Sequence, residues 1–119
     1  MKWYLAKIVF KIISGEGTHM SQFDEQLRLI NAANIEQALE KAYATGQSNE
    51  DMFLNEKNQL VQWKFLNVPE LFEMGQFQDG MEIYSRIQEA EDGDSYQDFI
   101  NAKALRISNL PRLSRANVI

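Results

Sequence analysis

From residue 3 to residue 13 the side chains alternate in a way that allows one kind of element. Tyr4, Ala6, Ile8, Phe10 and Ile12 interleave with Trp3, Leu5, Lys7, Val9, Lys11 and Ile13. A period of two belongs to a β-strand, because successive strand side chains point to opposite faces. The even-numbered face is apolar throughout and must be covered. The odd-numbered face mixes Trp3, Leu5 and Val9 with two lysines, so it is at most partly exposed, beneath another element or at a subunit contact.

The rest of the chain reads as elements that can cover such a strand. SGEGTHMS breaks the period, and Gly15 and Gly17 permit positive φ. A second strand near residues 22–31 sets Phe23, Leu27 and Leu29, with Glu25, against Asp24, Gln26 and Arg28. The short connection makes the pair an antiparallel hairpin. NIEQALEKAYATG carries Ile35, Ala38, Leu39, Ala42 and Tyr43 at helical spacing, with Asn34 and Gln37 as a capping pair and Gly46 as the stop. DMFLN and QLVQWKF read as two strands turning around Lys57 and Asn58, with Val61, Trp63 and Phe65 on one face of the second. Asn67, Pro69 and Glu70 resemble the start of a short helix with Leu71, Phe72 and Met74. Asp79 and Gly80 signal a turn before a further strand, MEIYSRI. Asp94 or Ser95 then caps a helix whose stripe is Tyr96, Phe99, Ile100 and Ala104.

Hairpin-length connections favour an α+β fold with a mainly antiparallel sheet of about five strands and two main helices packed on one face, rather than a doubly wound parallel sheet. The 119 residues fit a single domain over 1–105, followed by a basic, extended and docked tail at 106–119. Pro111 ends any helix before that tail, and Leu110 and Leu113 are its anchors, with Arg112 and Arg115 beside them.

Charge and composition narrow the function classes. Residues 1–102 hold 8 basic and 17 acidic groups, and nine of those acids lie within 69–98 beside Arg86 alone. Such a field repels nucleic acid and attracts a basic partner or the chain's own tail. Without cysteine there is no disulfide framework, thiolate metal site or thiol nucleophile. No apolar run approaches the roughly 18 residues that would span a bilayer, and Lys7 and Lys11 interrupt the opening one. A cytoplasmic protein that binds no membrane is expected.

The stretches WYLAKIVF, FDEQLRLINA leading into IEQALEKAYATG, NQLVQWKFLNV and DGMEIYSRI together resemble a bacterial family of small proteins known as domain of unknown function family 4288. The resemblance covers roughly residues 3–104. It implies a compact bacterial domain and carries no activity, ligand or site residue with it.

Catalytic constellations are thin. His19 is the single histidine, in a glycine-containing loop with Glu16. A general base needs an orienting partner and a metal site three or four ligands, so Glu16 and His19 make only a weak ligand site. Aligning Gly93 in EAEDGDSYQD to the glycine of a calcium loop puts Gln88 first and Phe99 twelfth, where a bidentate Glu belongs. Neither a catalytic set nor a cofactor is assigned. Trp3, Tyr4, Trp63, Phe65, Phe72 and Tyr84 supply large amphipathic area, with too few interleaved lysines for a nucleic-acid platform.

The expected function is therefore a noncatalytic cytoplasmic interaction domain, immunity-type or regulatory, that binds a basic partner protein and forms a homodimer. Its surface comprises Trp3, Leu5, Val9, Leu110, Arg112, Leu113 and Arg115. The alternative is a small enzyme, or a domain binding a metabolite or metal with carboxylates and aromatics in a cleft.

Overall fold

The structure, a computed structural model, describes residues 1–110. Its elements follow in the order β1 (Lys2–Ser14), β2 (Gln22–Ala32), α1 (Ile35–Ser48), β3 (Asp51–Leu54), β4 (Leu60–Glu73) and α2 (Gly93–Ser108). Met1–Ile83 form one compact unit, and among the described residues those from Tyr84 to Leu110 belong to a second. The first unit holds an antiparallel sheet in the order β2-β1-β4-β3. The fold is α+β as expected, with four strands among the described residues in place of about five.

The missing strand and the misread helix share one cause, the length of β4. β1 is 13 residues long and is paired on both sides, by β2 and by β4. β4 therefore continues through Glu73, so that residues 67–73, which resemble a helix start, are strand. Between the pairs Lys7↔Glu70 and Val9↔Asn67, Val68 and Pro69 together oppose Ile8 alone. This is a β-bulge, one of the few sheet positions where a proline's missing N–H is harmless. A second register shift follows between Val9 and Phe10. The turn at Asp79 and Gly80 does form, with Gly80 at φ 81° and the Met81 N–H donating to the Gln78 carbonyl at 3.1 Å. The expected strand MEIYSRI beyond it does not form.

The even-numbered face of β1 is the core. Tyr4, Ala6, Ile8 and Phe10 are buried with Ile30 and Ala32 of β2 and Ala38 and Ala42 of α1, flanked by Trp63, Phe65, Val68 and Leu71. Phe10 and Ile8 are fully buried, each contributing roughly 1.5–3 kcal/mol of transfer free energy. Phe65 is the link to α1, edge-on to Phe10 at 6.1 Å and to Tyr43 at 6.1 Å.

Local chemistry starts α1 where expected: the Asn34 side chain accepts from the Gln37 N–H at 2.8 Å, and the Gln37 side chain accepts from the Ala33 N–H at 2.6 Å. Its end is different. Gly46 is not the stop, because the helix continues to Ser48 and caps on Asn49. Gly46 is buried, and a Cβ there would overlap the Phe65 ring. The glycine lets the helix approach the sheet.

Register places Arg28, Gln26 and Asp24 of β2 beside Ala6, Ile8 and Phe10, on the α1 side. These polar groups satisfy one another. Arg28 Nε donates to Gln26 Oε1 at 2.9 Å, and Gln26 Nε2 donates to Asp24 Oδ2 at 2.6 Å. That same oxygen accepts from Trp63 Nε1 at 3.0 Å.

In the second unit, α2 caps on Asp92, two residues before Asp94, the first of the two expected caps. Asp92 accepts from the Ser95 N–H at 3.2 Å and from the Ser95 hydroxyl at 2.7 Å. The serine hydroxyl bond, and then the backbone bond, hold its carboxyl below the ordinary 3.8. The stripe residues Tyr96, Phe99 and Ile100 are exposed, and α2 buries none of its residues. Residues 106–108, assigned to the tail, belong to this helix. Leu110 is half-exposed, while Arg112, Leu113 and Arg115 lie outside the described residues. Among the described residues no helix is long and apolar enough to cross a membrane.

Candidate functional site

The sheet face opposite the core carries the odd-numbered residues of β1. Trp3, Leu5 and Val9 stand here in one row, as the alternation predicts. Leu5 is buried between its cross-strand neighbours Leu29 and Phe72, and Val9 is half-buried. Trp3 stays 41% exposed and stacks on Phe77 at 5.9 Å. β2 adds Leu27 and Leu29, exposed at 44% and 51%, and Phe23.

Lys7 sits amid these apolar groups. Its side chain is only 14% exposed, and Nζ lies 3.4 Å from Glu25 of β2 and 3.3 Å from Glu70 of β4. One cation from the central strand thus meets one carboxylate from each neighbouring strand. A charge in such an apolar setting needs this pairing. On the other, even-numbered face, at the start of β1, Lys2 pairs with Glu73 at 3.1 Å, and the bond to and charge of Glu73 raise the ammonium above 10.5.

Sheet edges are the other route to association, and β4 blunts its own. β3 pairs with β4 only as far as Trp63. Beyond it, Glu50 accepts from the Phe65 N–H at 2.9 Å and the Asn67 side chain accepts from the Val68 N–H at 2.8 Å. Pro69 has no N–H to offer. Side-chain caps, a proline and bulges are the devices by which an edge resists adding a strand.

Glu16 and His19 do come together. Both line two cavities around the β1–β2 loop, of about 280 and 410 Å³. The imidazole, however, is committed to the backbone: Nε2 accepts from the Ser14 N–H at 2.9 Å, and Nδ1 stands 2.7 Å from the Met20 carbonyl. An accepting Nε2 places the proton on Nδ1, which donates to that carbonyl. His19 therefore closes the loop. Among the described residues no three or more His, Asp or Glu side chains gather as metal ligands.

The alternation of β1 points to Trp3, Leu5 and Val9, but it does not identify Leu27 and Leu29 as their companions. Their signal is present in the period of β2; its assignment to this face needs the register with β1. The charged centre, Lys7 with Glu25 and Glu70, is legible only from cross-strand pairing. The acidic stretch 69–98 is spread over the end of β4, an irregular segment and the first turns of α2, and so forms no single element.

Residues 3–85 match the family described as Domain of unknown function (DUF4288). The chain belongs to that family. The matched region ends close to Ile83, the boundary of the sheet-bearing unit, and α2 lies beyond it. No curated protein and no solved structure matches the chain.

Proposed function

We propose that this protein is a noncatalytic interaction domain of the cytoplasm, presenting the sheet face opposite α1 to another protein in an immunity-type or regulatory role. The observation that carries the reading is the set Trp3, Leu27 and Leu29, exposed around a Lys7 already neutralised by Glu25 and Glu70. A solvated sheet face alternates to polar side chains, whereas exposed apolar patches mark association. The apolar ring supplies burial and the paired charges supply register. The excess of carboxylates over residues 1–102 favours a basic partner, and the same face serves a homodimer. The enzyme reading finds less support, because both nitrogens of His19 are engaged by the backbone.

Two measurements test this. Sedimentation at about 100 µM, well above a micromolar dissociation constant, should give a mass above the 13.8 kDa monomer. Leu27→Asp with Leu29→Asp, both exposed positions, should return it to monomer with an unchanged circular dichroism spectrum. Co-purification of a reproducible partner that the double substitution releases would support the interaction role. A partner retained by that variant would remove this face from the reading, and a monomeric mass for the parent would remove the homodimer.

A further inference from the structure

We infer that the outer edge of β2 pairs antiparallel with the same edge of a second copy, across a twofold axis at Gln26, so that two four-stranded sheets become one of eight. The inference rests on the homodimer of the sheet-face reading and names the seam through which it forms.

The two outer strands of the sheet are unlike. The order β2-β1-β4-β3 leaves β3 and β2 outermost. β3 is 4 residues long, and a short edge strand offers little ladder to a newcomer. β2 runs for 11 residues, contains no proline, glycine or lysine, and keeps an unbroken register with β1. Among the described residues, side chains cap only its C-terminal end, where Lys41 donates to the Asn31 carbonyl; none caps the backbone from Phe23 to Leu29. An open row of N–H and C=O groups of this length is a template for another strand. β4 carries the blunting devices and β2 carries none of them.

Charge selects the second copy as that strand and fixes its register. Arg28 is half-buried on the α1 side. Its Nε donates to Gln26, while its terminal nitrogens have no partner among the described residues. A cation so placed calls for a carboxylate. A twofold axis at Gln26, normal to the sheet, keeps each face on its own side and makes the contact self-complementary. Asp24 then falls opposite Arg28 of the second copy, and Arg28 opposite its Asp24. Asp24 holds Gln26 and Trp63 through Oδ2 alone, so Oδ1 remains for the guanidinium. On the other face Phe23 falls opposite Leu29, twice over, and both are 51% exposed in the single chain.

Neighbouring registers lose these matches. An axis at Glu25 sets two Glu25 carboxylates against each other, and an axis at Arg28 does the same with two guanidinium groups. An axis at Leu27 leaves Asp24 against Ile30 and Phe23 against Asn31. Like charges directly opposite are destabilising, whereas opposite charges and apolar pairs stabilise. With the axis at Gln26, the faces that carry Trp3, Leu27 and Leu29 in the two copies become one continuous surface.

The chain has no cysteine, so introduced cysteines report the seam. The test is disulfide cross-linking of the full chain at about 100 µM, well above a micromolar dissociation constant. Gln26→Cys lies on the axis, with Cα atoms about 4.5–5.5 Å apart, within the roughly 4.4–6.8 Å that a disulfide spans. Leu29→Cys places its two Cα atoms roughly 20 Å apart along the seam. Gln26→Cys should therefore link at least about tenfold faster than Leu29→Cys. An equimolar mixture of Phe23→Cys and Leu29→Cys chains should form the mixed dimer in preference to either like dimer, a result that does not depend on the hydrogen bonds of Gln26. Arg28→Asp should raise the dissociation constant about fivefold or more, with the circular dichroism spectrum unchanged. A monomeric parent, an Arg28→Asp dimer of unchanged affinity, or Leu29→Cys linking as fast as Gln26→Cys would overturn the inference. The last is what a face-to-face dimer gives, so it strikes the edge and leaves the sheet-face reading standing. Fast Gln26→Cys linking, together with a partner still bound by Leu27→Asp with Leu29→Asp, keeps the edge and removes the face.

Discussion

α1 and α2 are of similar length, 14 and 16 residues, and each opens on a side-chain cap, Asn34 or Asp92. Their apolar faces differ in size and in fate. α1 buries Ala38, Ala42 and Gly46 against the sheet, whereas α2 carries Tyr96, Phe99 and Ile100 and buries none of its residues. The family match divides the same way, covering α1 and stopping before α2.

The largest effect that sharpens this contrast is expected at the residue beneath α1. Phe10→Ala should cost about 3–5 kcal/mol in denaturant unfolding, since the ring is fully buried in the core beside its cross-strand neighbour Phe65. A loss under about 1 kcal/mol would mean that α1 is not seated as described.

Next come opposite substitutions in the two helices. Gly46→Ala improves helix propensity by about 1 kcal/mol, yet the added methyl meets Phe65. Overpacking of this sort costs about 1–3 kcal/mol, so the variant should unfold at lower denaturant. Ala102→Gly, at an exposed position of α2, should lower helicity by the propensity difference alone, about 1 kcal/mol. If Gly46→Ala stabilised the protein, the close approach of α1 would be refuted.

The smallest effect is a titration. Asp92 has a folded-state value below 3.8 because Ser95 donates to its carboxylate. A depressed carboxyl contributes stability above its unfolded value and loses it as pH falls through the folded one. Helicity from α2 should therefore hold from neutrality to about pH 4 and fall below it, and Asp92→Ala should abolish that acid dependence. Circular dichroism of the two forms between pH 7 and pH 2 reads the difference.

Much of the first unit is legible in the sequence. The alternation of β1, the cap at Asn34 and the turn around Lys57 and Asn58, where Asn58 takes φ 61°, are local, and local chemistry suffices for them. The candidate face is half legible: Trp3, Leu5 and Val9 follow from β1, but Leu27 and Leu29 are recognisable as their companions only once β2 is in register. Asn67 and Pro69 mislead because the pair is equally apt for a helix start and for a bulged strand.

What the sequence by itself determined is what one segment can settle within its own span: which residues of β1 share a face, where α1 begins, and where the chain turns. Only the tertiary structure decided that β4 extends to Glu73, that Gly46 is a contact and not a stop, and that Asp24, Gln26 and Arg28 face the core side. Each of these depends on a partner many residues away, β1 for β4, Phe65 for Gly46 and Trp63 for Asp24. Backbone pairing along a 13-residue central strand leaves buried N–H and C=O groups that must be matched, and that requirement outweighs the local preference of any single segment.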